Sequence, residues 1–194
     1  MQLKQVMIVA ALIGLSAGVA WADDKAADRT KAKIGEAAPL FELKDSSGKT
    51  VKLADYKDKV VVLQWVNQEC PFCRDALPLA KNMERKYAEK GVVWLAIEST
   101  NWRTAEQNEK WRRDKDIRYP VLMDTEGEVG HLYGAKTTPH VFVIDKGTLV
   151  YNGAIKEKDG ERQYTADAIE AVLANKKVEL AETKPYGCSV KYKK

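Results

Sequence analysis

Cysteine is scarce in this chain: three in 194 residues, at positions 70, 73 and 188. That excludes a small disulfide-stapled scaffold, which needs dense pairing to make up for a thin core. There is one Cys-x-x-Cys and no second. The two histidines do not complete the closely spaced four-ligand set that structural zinc requires. An excess of one charge is also missing. Thirty-two basic residues face 28 acidic ones, a formal charge of +4, and the lysines and arginines are spread along the chain. The only short basic cluster is Lys191, Lys193 and Lys194, a poor footprint for nucleic acid. Internal repeats and low-complexity tracts are absent, and beyond residue 20 no run is apolar enough to span a membrane.

The one long apolar run lies at the start. Val6 to Ala20 is broken only by Gly14, Ser16 and Gly18, follows the single charge of Lys4, and leads into Ala20-Trp21-Ala22. A short apolar stretch ending in small-x-small reads as a secretory signal cleaved after residue 22. An uncleaved anchor is the alternative, although the run falls short of the roughly 20 residues of a span. No cysteine stands at the processing site to carry a lipid. Cleavage removes Lys4 and leaves Asp23–Lys194 at a charge of +3, enough chain for one domain with its own core. The expected compartment is the bacterial periplasm, where disulfides persist.

Ala26 to Glu36 is charged and alanine-rich, and is expected to be a loose leader. Leu40–Lys44 and Thr50–Lys52 alternate around Asp45-Ser46-Ser47-Gly48-Lys49, a hairpin signal. Val60–Val66 is apolar without alternation, as a strand buried on both faces should be. A helix is expected from Pro71 to about Lys90, with Ala76, Leu77, Ala80, Met83 and Tyr87 on its inner face and Gly91 ending it. Val92–Ile97 reads as a second buried strand. Thr104 caps a largely polar helix through Asp114. Tyr119–Met123 is a short strand and Glu126–Tyr133 a short helix. Val141–Ile144 and Leu149–Ile155 form a hairpin around Asp145-Lys146-Gly147, and Thr165 caps a last helix through Ala174. This order, hairpin, βαβα, hairpin, helix, specifies an α/β domain: a central mixed sheet flanked by helices, parallel in the middle and antiparallel at one edge. It is the thioredoxin architecture with an N-terminal β-hairpin extension.

The chemistry concentrates at Cys70-Pro71-Phe72-Cys73, where a strand feeds a helix. Backbone N–H groups at a helix start favour a thiolate, and Arg74 adds positive charge, so Cys70 is expected to have a lowered pKa. One helical turn brings Cys73 within disulfide reach. Cys70 is assigned as the nucleophile and Cys73 as the buried resolving thiol. The competing readings are an inert disulfide and a Cu(I) site built from Cys70, Cys73 and His140, because soft thiolates with one histidine suit that ion. Phe72, between the thiols, is expected to be exposed and to touch a protein substrate. Trp65, Trp94 and Tyr133 read as core.

Glu69-Cys70-Pro71-Phe72, Gly91–Leu95, Thr138-Pro139-His140 and Tyr186–Lys191 together resemble the thioredoxin-like redoxins, in the group of alkyl-hydroperoxide-reductase/thiol-specific-antioxidant (AhpC/TSA) and TlpA-like proteins. Within that group the chain is most similar to a peroxiredoxin-like branch carrying Glu-Cys-Pro-Phe and a terminal Tyr-Gly-Cys-Ser-Val-Lys. The resemblance runs from about Ile34 to the end. It implies a redoxin domain over 34–176, after a flexible leader over 23–33, and a tail over 177–194 bearing Cys188. It also implies a cis Pro139 beside the thiols, with Thr138 and Pro139 positioning an extended substrate. The implied activity is thiol–disulfide exchange with a protein disulfide or dithiol, reset by an upstream redox partner, with no cofactor.

Three departures matter. The residue before the first cysteine, usually Trp, is Glu69, and the buried strand Asp of thioredoxins is Gln64. Ala76 stands where the cytochrome-maturation type often has Glu. The usual internal proton acceptor is therefore missing, leaving Glu69 or Asp75 as stand-ins. A peroxidase, the other enzymatic reading, would need Pro and Thr or Ser seven and three residues before its reactive cysteine. Val66 and Cys70 precede Cys73 at those positions, and Leu63 and Asn67 precede Cys70. Cys188 reads either as a third redox thiol, brought back by the tail to resolve or mask Cys70, or as a free or intermolecular thiol.

Overall fold

The computed structural model describes residues 31–193; the expected signal segment lies outside the described residues. Strands β1 (Glu42–Lys44) and β2 (Thr50–Lys52) form the expected antiparallel hairpin. The main sheet contains β3 (Val60–Trp65), β4 (Val93–Glu98), β5 (Val121–Met123), β7 (His140–Asp145) and β8 (Thr148–Gly153), in the order β5-β4-β3-β7-β8. β4 is parallel to β3 and β5, whereas β7 and β8 are antiparallel. This is the thioredoxin-like sheet, with β3 central and every residue of it buried. β6 (Thr137–Thr138) lies just before β7, outside the main sheet.

Alternation on β3 sorts the core into two layers. Val60, Val62 and Val66 face helix α1 (Pro71–Ala88) through Ala80, Met83 and Tyr87, with Ile169 of α4 (Tyr164–Leu173) in the same layer. Val61, Leu63 and Trp65 face the other way, toward Phe41, Val51 and the buried side of α3 (Glu128–Tyr133). There Trp65 meets Phe142 and Tyr133 at ring-centroid distances of 5.2 and 5.7 Å. Helix α2 (Ala105–Asp114) begins at Thr104, whose hydroxyl accepts from the Gln107 N–H while the Gln107 side chain accepts from the Thr104 N–H. This reciprocal cap lets a nearly all-polar helix start cleanly. Among the described residues no helix is long and apolar enough to cross a membrane.

Two expectations are corrected. Thr165 does not cap α4. The helix starts at Tyr164 after Gln163, and Thr165 is fully buried with its hydroxyl unpartnered; its N–H donates to Ile155 O at 3.2 Å. That long-range bond, invisible in the sequence, sets the start. The leader is not loose from residue 32 onward: the N–H groups of Ala32, Gly35 and Ala38 donate to the carbonyls of Leu132, Leu149 and Gly147. The polar tail does come back to the fold: β9 (Cys188–Ser189) within it pairs antiparallel with β6.

Candidate active site

Cys70 is the residue before the first turn of α1, with Pro71 at the position where a missing N–H costs nothing. Its own N–H donates to Asn67 O, and the N–H groups of Cys73 and Arg74 donate to its carbonyl. The side chain makes no bond to the helix end. Instead Sγ lies 2.9 Å from the Thr138 carbonyl oxygen, across the crevice. The Thr138–Pro139 peptide is cis, in agreement with the family-based expectation. Cys70 and Cys73 are both buried, and all three cysteines are free thiols.

The thiols push each other's proton affinities apart. Cys70 is lowered from 9.0 to about 4, chiefly because the Cys73 thiol donates to its sulfur, with burial opposing; the thiol and N–H of Cys188 and the Thr138 hydroxyl add to the lowering. The Thr138 carbonyl favours the protonated thiol, but the donors outnumber it. Cys73 is raised well above the ordinary value, first by its bond to Cys70 and then by burial. Cys188 is raised, with its bond to Cys70 the largest cause. In the reduced protein, Cys70 is thus the thiol most readily ionised, with Cys73 and Cys188 holding their protons. Such a splitting divides the roles of nucleophile and proton-holding partner.

The source of this lowering differs from the expected one. The largest influences lowering Cys70 are the neighbouring Cys73 and Cys188 thiols, and the Cys70 side chain makes no capping bond to the helix end. Arg74 exerts its influence on Cys188. Glu69 is exposed and paired with Arg103 at 2.6 Å. Phe72 is 39% exposed, as expected, and meets Tyr186 edge-on at 6.1 Å. His140 is buried, and both ring nitrogens are engaged: Nδ1 accepts from the Lys136 N–H at 3.1 Å, and Nε2 lies 2.7 Å from Asn152 Oδ1. Burial lowers its pKa to about 4. Among the described residues no group of three His, Cys, Asp or Glu is placed to hold a metal.

Gln64, in place of the usual acid, is a buried amide whose Oε1 accepts from the Trp94 indole N–H at 3.0 Å. A buried acid near the site is Glu98, which the sequence reading left outside the strand. It ends β4 on the face shared by Trp94 and Ala96, is fully buried, and leaves Oε2 without a partner. Its Oε1 accepts from the Thr100 N–H at 3.0 Å, while Thr100 Oγ1 accepts from Asn67 Nδ2 at 2.9 Å. Glu98 therefore connects to the loop that bears Cys70. Burial lifts it from 4.5 to about 7, against the opposing pull of Thr100 and Arg103. The available signal was its place: an acid at the carboxyl end of a buried parallel strand, where α/β sites gather.

A family model described as the AhpC/TSA family matches residues 34–152. The thiol-disulfide oxidoreductase ResA of Bacillus thuringiensis subsp. konkukian (strain 97-27) is 34% identical over 143 residues, covering 74% of this chain and 78% of that protein. A crystal structure of a hypothetical protein from Sinorhizobium meliloti 1021 superposes with a TM-score of 0.77 at 26% identity, covering 84% of this chain and 97% of the other. An uncharacterized conserved protein from Geobacillus kaustophilus gives a TM-score of 0.77 at 27% identity, covering 83% and 93%.

Proposed function

Starting from the premise that this chain belongs to the AhpC/TSA family and is a thiol–disulfide oxidoreductase of the ResA type, we propose how its residues divide the work. The Cys70 thiolate attacks a sulfur of a client protein disulfide, forming a mixed disulfide and expelling the client's other sulfur as a thiolate. Cys73 then gives up its proton and attacks Cys70 Sγ. The Cys70–Cys73 bond forms, the mixed disulfide breaks, and the second client thiolate leaves and is protonated. The reverse sequence oxidises a client dithiol. Either direction leaves the pair in the wrong state for another turnover, so a second redox partner must reset it. Thr138 and Pro139 hold the extended client segment beside Cys70, and Phe72 touches it.

The observation that carries this reading is the buried Cys70–Cys73 dithiol at the start of α1, with Cys70 Sγ against the Thr138 carbonyl beside the cis Pro139; Cys73 draws the pKa of Cys70 down and is itself raised. We place the chain on the peroxiredoxin-like branch by its Glu-Cys-Pro-Phe and Tyr-Gly-Cys-Ser-Val-Lys segments. Dithiol exchange is favoured over peroxide reduction because the Pro and Thr pattern of a peroxidase cysteine is missing. Export to a periplasm follows from residues 1–22 of the sequence, and an N-terminus at Asp23 in the mature protein would support it.

The test is a titration in glutathione buffers with each cysteine alkylated and mapped separately, alongside exchange assays on Cys70→Ala. A Cys70–Cys73 couple between about −120 and −270 mV belongs among working oxidoreductases. Exchange at the wild-type rate in Cys70→Ala would refute the assignment.

A further inference from the structure

The exchange cycle leaves Cys188 without a task, yet the tail reaches the centre of the site. Cys188 pairs antiparallel with Thr138, and Ser189 with Thr137. This edge, beside Cys70, is where an extended client would add as a strand. That pairing sets Cys188 against Thr138, whose carbonyl oxygen lies 2.9 Å from Cys70 Sγ, and the closeness of Cys188 lowers the pKa of Cys70. Two residues earlier, Tyr186 covers Phe72. Gly187 between them has φ +141°, and a Cβ there would overlap the Thr138 carbonyl oxygen. Only a residue without a side chain lies this close to the edge. With the tail in place, Cys70 is 3% exposed, too little for a client disulfide to reach it.

The strap is fixed on both sides of this short pairing. Upstream, the Asn152 N–H donates to Ala181 O at 2.9 Å and the Thr183 N–H to Asn152 O at 3.1 Å. Downstream, Tyr192 stacks on His131 at 4.1 Å, its hydroxyl donates to Ala135 O at 2.7 Å, and its ring fills the space above Gly127 and Gly130. A segment tethered at both ends can lift from a two-residue strand and return at high effective concentration.

Resting on the exchange reaction of Cys70, we propose that Tyr186–Ser189 is a built-in mimic of the client: it occupies the client's docking edge, and Cys188 exchanges disulfides with Cys70. When Cys70 and Cys73 are oxidised, the Cys188 thiolate attacks Cys70 Sγ. The Cys70–Cys188 bond forms and the Cys70–Cys73 bond breaks. Cys73 leaves as a thiolate and takes the proton that Cys188 lost. The oxidation level is unchanged and no outside oxidant is needed. The client class that fits the same edge is an extended segment with an aromatic residue, a small residue and then the reacting cysteine.

The test takes the full chain oxidised to one disulfide per molecule, quenches it in acid, alkylates the remaining thiol and maps the linked peptides. In parallel, exchange is timed with a synthetic peptide of residues 184–190 linked by disulfide to glutathione. A measurable share of molecules should carry the Cys70–Cys188 linkage with Cys73 alkylated. Gly187→Ala should speed exchange with the peptide, by about tenfold if the strap is open in about a tenth of molecules. Tyr192→Ala, which frees the downstream anchor, should act in the same direction. Absence of the Cys70–Cys188 linkage, or rates in both variants no faster than wild type, overturns the mimic while leaving the exchange reaction intact. Exchange that persists in Cys70→Ala overturns both.

Discussion

If the Cys70 thiolate is held by neighbouring thiols, its alkylation should be almost independent of pH where an ordinary thiol is most sensitive. At pH 6 a thiol of pKa 9.0 is about 0.1% ionised, and one of pKa about 4 is about 99% ionised. That gain of about a thousandfold is offset by lost nucleophilicity. A Brønsted slope of about 0.4–0.5 over this span removes roughly a hundredfold or slightly more. The net advantage at pH 6 is therefore only about three- to tenfold, and near pH 7 it disappears. Absolute rate is a poor test; the slope is a good one. Alkylation with iodoacetamide, followed by peptide mass mapping from pH 5.5 to 8, should give a flat profile for Cys70. Replacing Cys73 by Ala removes the strongest donor. Hydrogen bonds to charged groups contribute about 1.5–3 kcal/mol, so the midpoint should rise by roughly one to two pH units. A wild-type rate that climbs tenfold per pH unit between 6 and 8 would refute this account of the thiolate, as would a midpoint in Cys73→Ala equal to wild type.

Further outcomes follow from the same structure. Between pH 4.5 and about 7 the folded protein keeps a proton on Glu98 that the unfolded chain has lost, so this group makes stability fall as pH rises. Glu98→Gln should gain up to about 3 kcal/mol relative to wild type between pH 4 and pH 8, by urea unfolding at each pH; a constant difference would show that Glu98 ionises normally. His140 acts with the opposite sign, since its folded value is about 4 against 6.5, so stability from this site is lost as pH falls through that window. His140→Gln should shallow the acid limb of the same curves. Trp65→Ala should cost about 3–5 kcal/mol, because a fully buried indole leaves a cavity against Tyr133 and Phe142. Thr104→Ala should cost about 1 kcal/mol by removing the reciprocal cap of α2, read in the same unfolding experiment.

The sequence alone determined the elements whose signals are local. The apolar run of β3, the spacing of Ala76, Ala80, Met83 and Tyr87 on α1, the cap at Thr104 and the turn at Asp145-Lys146-Gly147 all depend on near neighbours, and the structure has them where periodicity puts them. Their order then restricts the topology, and the dithiol at the strand-to-helix junction marks the chemistry. What only the tertiary structure decided are contacts between residues far apart in the chain. β6 and β9 are two residues each, too short for any period, and exist because each completes the other. The same pairing brings Cys188 to the Thr138 edge beside Cys70, adding a long-range influence on the Cys70 pKa that no local pattern announces. Glu98 reads as a loop acid in one dimension. It becomes a buried carboxyl because β5 pairs beside it through Met123 and the chain at Thr100 turns back onto it, and no local pattern encodes that desolvation. Local propensity writes the scaffold; the electrostatics of the site arise from long-range contacts, which only the assembled sheet and tail provide.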